Sequence, residues 1–444
     1  MIKTSQHLLQ QQYDSLPYPK IPIEKSPEND YNNLFLDNLI TSYYLYQQKI
    51  IDTKDKVILD VGCGSGWTTL NLAFANPNAQ IIAIDLSENS LDFAKKRMAY
   101  YNINNVFFYQ IAMEDIKQLN YQYDYINCQD VLYFSDNPIK SLTALKSVLK
   151  CDGIIRGNFH SYYQRFYVYL SQELFRCLGL FENNPADFEI EVVADTMQNL
   201  KPNTMLKRLI GGIFSNDNLD LKSEEIKQNI LMNSLIQNDQ GYNIPQIFEM
   251  LEKSKLQFLS MTNWRHWDVR DLFKDKNNLP TIWEFILENA SEKEKLHYFE
   301  LLNPYHRLID FWCVHSENLP SFKPLHNWDK NDWDKATIFL HPQLNSTKIK
   351  EDLLLSIQQQ NSWEISKYIT VPTLNPVYIS SNQSALLLFL WDQSRTFEEL
   401  VNHWLKIQPI NLLTSQAKKI IEAQDEVRDF VQKLEIFLYL LVEV

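Results

Sequence analysis

The chain has 444 residues, of which 45% are hydrophobic and 22% are charged, and its formal net charge is −13. This length exceeds what one hydrophobic core usually holds, so we expect two or three domains. The negative charge, without a local basic cluster, argues against a nucleic-acid partner, and the five dispersed cysteines exclude a disulfide framework.

The first 50 residues are predicted to form an arm followed by a helix. Residues 1–35 are polar and contain the prolines of YDSLPYPKIPIE, which favour extended backbone. Residues 33–50 have the apolar spacing of a helix. The stretch MIKTSQHLLQQQYD lacks the apolar core of a signal peptide, and the apolar run at 385–391 is too short to span a bilayer, so we expect a soluble, cytoplasmic protein without a membrane partner.

Strands and helices then alternate. Continuous apolar strands, each followed by a helical segment, are predicted at residues 56–62, 80–87, 105–112, 123–129 and 153–159. This alternation is typical of a parallel sheet covered on both faces. We therefore predict an α/β, doubly wound fold whose core begins with residues 51–160. Ser87 is expected to cap the helix after the second strand.

The remaining chain divides into four predicted parts. These are a helical insertion or cap (161–240), the rest of the core (241–316), a linker rich in Pro, Asn, Asp and Trp (317–335) and a small helix-rich C-terminal domain (336–444). The second core segment contains predicted strands at 257–263 and 306–315. In the C-terminal domain we expect one strand at 375–381 and a final helix over 416–442.

The stretch VILDVGCGSGWTTLNLA, residues 57–73, predicts a strand, a glycine loop and a helix. Its spacing is G-x-G-x-G, whereas dinucleotide sites use G-x-G-x-x-G. Asp60, two residues before the first glycine, would repel a pyrophosphate and attract a cationic amine, which S-adenosylmethionine carries together with a positive sulfonium. Asp85, at the end of the second strand, can accept hydrogen bonds from ribose hydroxyls. These features favour S-adenosylmethionine over a nicotinamide dinucleotide.

Five motifs in register resemble the class I S-adenosylmethionine-dependent methyltransferase family over residues 56–159. They are LDVGCGSG, AIDLS (ribose), QIAMEDI (adenine), YDYINCQDVLYF (near the methyl group) and LKCDGII. The resemblance implies a seven-stranded sheet with the last strand antiparallel, and an insertion that covers the acceptor pocket. The chain is more weakly similar to bacterial methyltransferases with long C-terminal extensions, some of which modify protein lysines.

The resemblance also implies a cofactor site. Its expected residues are Asp60, Gly62, Cys63, Gly64, Gly66, Asp85, Leu86, Met113, Glu114, Cys128 and Gln129. The family often has an aspartate in the adenine segment where this chain has Ala112. Glu114 or Asp115 is therefore expected to bind the adenine amine.

Polar residues after the fourth and fifth strands are the candidates for the acceptor side, because ligands bind at the carboxyl ends of such strands. His160 is the candidate general base, with a structural histidine as the alternative. Tyr133 is expected either to face the methyl group or to form an aromatic wall of the pocket. Asp130 is expected either to act in catalysis or to cap the next turn. Asn158 and Arg165 are candidate substrate ligands.

We predict a methyltransferase that acts on nitrogen or oxygen of a peptide, a protein or a sizeable small molecule. The alternative is a catalytically weak, S-adenosylmethionine-binding regulatory or recruitment module. Tyr13 or Tyr18 is expected either to fold over the cofactor as a lid or to pack within the arm. No metal site is predicted, because His306 and His315 lie nine residues apart across a strand. A homodimer is compatible with the sequence.

Overall fold

A computed structural model describes residues 10–14, 18–210, 214, 221–317, 322–411 and 413–444. Within them, the central sheet has eight strands: β1 (Val57–Val61), β2 (Gln80–Asp85), β3 (Val106–Gln110), β4 (Tyr123–Cys128), β5 (Leu149–Ser161), β6 (Gly241–Tyr242), β7 (Leu256–Met261) and β8 (Leu308–His315). The strand order is β3-β2-β1-β4-β5-β8-β7, and the short β6 pairs with the end of β5. Strands β1 to β5 are parallel, whereas β8 is antiparallel to both neighbours. The predicted doubly wound sheet with an antiparallel last strand is confirmed, and β6 is an addition.

Helices cover both faces of this sheet and form the insertion. They are α1 (Tyr31–Asp37), α2 (Leu39–Gln47), α3 (Trp67–Ala75), α4 (Glu88–Tyr100), α5 (Pro138–Lys146), α6 (Phe166–Cys177), α7 (Asp187–Asn199), α8 (Met205–Ile210), α9 (Glu224–Ser234), α10 (Ile244–Lys253), α11 (Thr281–Asn289) and α12 (Glu292–Leu302). Ser87 caps α4 as predicted, since its Oγ accepts from the amide of Ser90. None of the helices in the described ranges has the length and apolar character needed to cross a membrane.

Two local expectations differ from the structure. The single helix expected over 33–50 is divided into two at Asn38, whose backbone is extended. The side chain of Asn38 caps α2, because its Oδ1 accepts from the amide of Ile40. Strand β5 begins at Leu149, four residues before the expected start at residue 153, so the segment LKCDG is part of the strand. The pairing of β4 with β5 is irregular between Tyr123 and Tyr125, which accommodates this longer strand.

The C-terminal region contains α13 (Lys330–Lys335), β9 (Thr337–Leu340), α14 (Thr347–Gln358), β10 (Trp363–Glu364), β11 (Tyr378–Ile379), α15 (Ser381–Leu388), β12 (Arg395–Thr396), α16 (Phe397–Ile407), α17 (Ile420–Glu435) and β13 (Leu440–Glu443). The expectation of a helix to residue 442 is wrong. Helix α17 ends at Glu435, and β13 pairs with β9 because its apolar residues are buried on both faces.

One hydrophobic cluster joins the C-terminal region to the sheet. Its members include Phe35 of α1, Tyr43 of α2, Trp312 of β8, and Trp333 and Val442 of the C-terminal region. The insertion has a cluster of its own around Phe175. Helices α1 and α2 are therefore shared between the sheet and the C-terminal region, and the domain limits given above stay predictions.

Candidate active site

A cavity of about 470 Å³ lies at the carboxyl edge of the sheet, where β1, β2, β4 and β5 end. This is the edge at which open α/β sheets bind ligands, and the volume is within the usual range for small-molecule sites. The glycine loop, the N-terminal arm and the end of the insertion complete its wall. The cavity is thus formed by segments that are far apart in the chain.

The glycine loop leaves no space for side chains at two positions. A Cβ atom on Gly62 would lie 2.4 Å from Cγ2 of Val131, and one on Gly64 would lie 2.3 Å from the carbonyl oxygen of Tyr18. Both glycines have positive φ and line the cavity. Gly66 instead packs against Ala94 of α4, outside the cavity lining. The loop therefore needs glycine both for its backbone conformation and for close approach of the arm.

The arm is held on this loop by hydrogen bonds. The amide of Ser65 donates to the carbonyl of Tyr18 over 3.0 Å, and its Oγ donates to the carbonyl of Pro19 over 2.7 Å. Arg97, which is buried, donates to the carbonyls of Ser65, Ile21 and Pro22. Tyr13 and Tyr18 consequently line the cavity.

Asp85 fixes the loop from the end of β2. Its Oδ2 accepts from the amide of Gly64 and its Oδ1 from the amide of Ser87, each over 2.8 Å. Burial raises the pKa of this carboxyl group, and these amide hydrogen bonds lower it. Leu86, Met113 and Glu114 line the same part of the cavity, as does Cys63.

The three residues predicted to be catalytic meet at the other side of the cavity. The ring of Tyr133 stacks on that of His160, with centroids 3.7 Å apart, and its hydroxyl donates to Oδ1 of Asp130 over 3.2 Å. The backbone of Asp130 is in the left-handed region, with a φ of 56°. Its amide donates to Oδ1 of the buried Asn158. All three line the cavity, whereas Asn158 lies outside its lining and supports Asp130.

Two neighbours determine the state of His160. Its Nδ1 lies 2.7 Å from Oδ1 of Asp239, and its Nε2 lies 3.0 Å from Nη1 of Arg307. A guanidinium can only donate, so Nε2 is the acceptor and the imidazole is the neutral Nδ1–H tautomer. Burial lowers the pKa of His160, the hydrogen bond and charge of Asp239 oppose this effect, and the charges of Arg165 and Arg307 add to it. The lone pair of Nε2, which a general base would need, therefore already accepts a hydrogen bond from Arg307.

Residues 52–207 match the family described as a methyltransferase domain. The five motifs and the glycine loop lie in this region, whereas the N-terminal arm, the end of the insertion and Arg307 complete the cavity from outside it. Residues 52–207 belong to the class I, S-adenosylmethionine-dependent methyltransferase family.

Similar proteins extend the comparison beyond this domain. An uncharacterized protein of Synechococcus is 25% identical over 72% of this chain and 73% of its own length. The malonyl-[acyl-carrier protein] O-methyltransferase of Halalkalibacterium halodurans is 35% identical over 25% of this chain and 42% of its own. The structure of PKMT2 from Rickettsia typhi in complex with AdoHcy aligns with 96% of this chain and 77% of its own, with a TM-score of 0.56 and 18% identity. That structural likeness shows a shared fold.

The cavity of this methyltransferase fits S-adenosylmethionine. Four carboxylates, Asp37, Asp85, Glu114 and Asp130, line it and suit a ligand with a positive sulfonium. Oδ1 of Asn71, another lining residue, is buried without a hydrogen-bond partner among the described residues. A buried acceptor of this kind is usually satisfied by a ligand or water.

Several predicted site residues do not reach this cavity. Asp60 is 1% exposed and lies outside the cavity lining, and its carboxylate oxygens accept from Asn127 over 2.8 Å and from Thr69 over 2.6 Å, so Asp60 does not fit as a direct ligand of the amine. Burial raises its pKa to about 6. Cys128 is fully buried behind the lining, while Gln129 lines the cavity and donates to Asn127.

Arg165, expected to bind substrate, also lies outside the cavity lining. It is 2% exposed, and its guanidinium pairs with Oδ2 of Asp239 over 2.9 Å. His306 stacks on Trp267, and burial lowers its pKa to about 4. Asp239 and Arg307 were missed, since each lies at the edge of a predicted segment without a motif around it.

Proposed function

We propose that the protein transfers a methyl group from S-adenosylmethionine to an amine nitrogen of a peptide, a protein or a sizeable small molecule. The observation that supports this acceptor class is a single carboxylate, Asp130, among the tyrosines Tyr13, Tyr18 and Tyr133. Burial and then the charge of Asp130 raise the pKa of Tyr13 and of Tyr18, as expected for rings close to that carboxylate. A carboxylate and aromatic faces attract an ammonium group.

On the donor side, S-adenosylmethionine supplies an activated methyl group on a positive sulfur. Asp85, Met113 and Glu114 line the cavity, and in this proposal Asp85 binds the ribose hydroxyls while Met113 and Glu114 bind the adenine. Gly62 and Gly64 allow the main chain to approach the cofactor closely. The contribution of the chain is chiefly alignment of the two reactants, because the donor is already reactive.

An amine must lose a proton before it can accept a methyl group. Burial raises the pKa of Tyr133 and of Tyr13, so both phenols stay protonated and cannot take that proton. His160 is a weak candidate because its Nε2 accepts from Arg307 and its pKa is lowered by burial. We therefore infer that the proton leaves to water while Asp130 and the tyrosines orient the nitrogen.

The mouth of the cavity supports a large acceptor. Tyr18 is 40% exposed and Arg307 is exposed, although both line the cavity. A reactive group at the end of a long side chain can enter past these residues while the rest of the acceptor stays outside. The weak resemblance to protein-lysine methyltransferases supports the same class.

The test is transfer of a radiolabelled methyl group to lysine-containing peptides, followed by treatment with base. An N-methyl group survives base, whereas a methyl ester is released as methanol. We expect base-stable label, and we expect Asp130→Asn to lower kcat/KM by about tenfold or more, since a charge-assisted contact is lost. Tyr162→Phe, an exposed tyrosine outside the cavity lining, is the matched control.

Base-labile label would contradict the amine. S-adenosylhomocysteine binding without transfer to peptides, amines or carboxylates would instead favour the regulatory module. Unchanged kcat/KM in Asp130→Asn would remove this residue from the acceptor site.

A further inference from the structure

One wall of the cavity is formed by helices that precede and follow β1. Asp37, the last residue of α1, and Asn71 of α3 both line it, and they are 3% and 2% exposed. Neither residue belongs to a sequence motif of the cofactor site. Both side chains are polar, and each needs a partner when it is buried.

The charges behind this wall do not balance. Arg156 of β5 donates from Nη1 to Oδ1 of Asp37 over 2.7 Å. The same guanidinium pairs with Asp310 through Nε at 3.2 Å and Nη2 at 2.8 Å. One positive charge thus lies between two carboxylates, and the carboxylate that faces the cavity is Asp37. A buried surplus of negative charge favours a cation beside it.

Asn71 gives an independent indication of what that cation is. Its Oδ1 is buried and, among the described residues, accepts no hydrogen bond. A sulfonium has no N–H group to donate, whereas an ammonium has three. The wall therefore suits a group that is both cationic and a hydrogen-bond donor.

We propose that Asp37 and Asn71 bind the methionyl ammonium group of S-adenosylmethionine. This is the role that the sequence motif indicated for Asp60, whose oxygens are occupied by Asn127 and Thr69. The proposal rests on the cofactor and is independent of the acceptor.

The test compares two ligands by titration calorimetry. S-adenosylhomocysteine carries the ammonium, and 5′-deoxy-5′-methylthioadenosine keeps the adenosine and the thioether without it. We expect Asp37→Asn and Asn71→Ala each to lower the affinity for S-adenosylhomocysteine by about tenfold or more. Asp37→Asn removes a charge-assisted contact with the ammonium, and Asn71→Ala removes its hydrogen-bond acceptor. The affinity for methylthioadenosine should change less than about twofold.

Asp310→Asn is the matched control, because it contacts the same Arg156 but lies outside the cavity lining. It should leave the ratio of the two affinities unchanged. An equal loss for both ligands in Asp37→Asn and in Asn71→Ala, or no loss, would overturn the proposal. If the unaltered protein binds neither ligand, the cofactor assignment fails instead, and that outcome is distinct from failure to methylate an acceptor.

Discussion

Nδ1 of His160 donates a hydrogen bond to Oδ1 of Asp239 over 2.7 Å, and both side chains are buried. Asp239 lies near the C-terminal end of the insertion, and its Oδ2 also accepts from Arg165 and Gln172. This carboxylate therefore joins the end of the insertion to the end of β5. Its pKa is lowered because the hydrogen bond and charges of its partners outweigh the effect of burial.

We expect Asp239→Asn to destabilise the protein by about 3–5 kcal/mol, because it leaves Arg165 buried without its ion partner. The measurement is the free energy of unfolding in urea. Asp271→Asn breaks the more exposed ion pair with Lys276, and its free energy of unfolding should stay close to that of the unaltered protein. Equal stability of the two variants would contradict the structural role of Asp239.

Gly64→Ala tests the contact between the loop and the arm. The new Cβ would lie 2.3 Å from the carbonyl oxygen of Tyr18, so we expect the arm to leave its docked position and cofactor affinity to fall. Limited proteolysis around residues 18–25 and binding of S-adenosylhomocysteine measure both effects. Gly179→Ala has a similar positive φ but an open environment, so it controls for backbone strain alone. Protection of the arm in Gly64→Ala would show that the contact is not needed.

The pH dependence of methyl transfer tests the role of His160. If water removes the proton, the rate should rise steadily with pH as more of the acceptor amine becomes neutral, with no inflection from His160. His160→Gln should then lower kcat by less than about tenfold, below the usual contribution of a general base, and leave the profile unchanged. If the pH–rate profile of the unaltered protein has an inflection between pH 5 and 7 and His160→Gln lacks it, His160 is the base.

The affinity for S-adenosylhomocysteine should fall as the pH is lowered through neutrality. Burial raises the pKa of Asp37 to about 7, opposed by Arg156, and Asp60, Asp310 and Asp30 raise it further. The carboxylate needed for the ammonium is therefore lost below pH 7, and binding at pH 6 should be about tenfold weaker than at pH 8. Calorimetry should show this dependence abolished in Asp37→Asn. The same pH dependence in that variant would assign it to another group.

His341 should make the fold sensitive to acid. It is fully buried, its Nε2 lies 3.0 Å from Oγ1 of Thr41, and its Nδ1 accepts from the amide of Gln343. Burial lowers its pKa to about 3. The unfolded chain binds this proton near pH 6.5, so stability is unaffected above that pH and decreases from there toward pH 3, by up to about 1.4 kcal/mol per pH unit.

Urea unfolding at several pH values checks this expectation. His341→Gln should have a smaller slope between pH 6.5 and 4, whereas His326→Gln, an exposed histidine, should keep the slope of the unaltered protein. An unchanged slope in His341→Gln would exclude this residue as the source.

The sequence by itself determined the sheet and the cofactor loop. Both depend on local patterns: apolar strands that alternate with helices, and glycines spaced for a tight turn before α3. The position of Asp85 after β2 follows from the same regularity, because the carboxyl ends of parallel strands meet at one edge. These features could be predicted from short stretches such as VILDVGCGSG.

The tertiary structure decided which polar groups face the cavity. Asp60 and Arg165 were expected there, but Asn127, Thr69 and Asp239 occupy their side chains. Asp37 and Arg307 line the cavity and Asp239 contacts His160, from positions before β1, immediately before β8 and near the end of the insertion. Their hydrogen bonds with Arg156 and His160 join residues 79 to 147 positions apart, which no local pattern encodes. Burial and ion pairing within the folded chain, and not residue type alone, determine which carboxylates are available to a ligand.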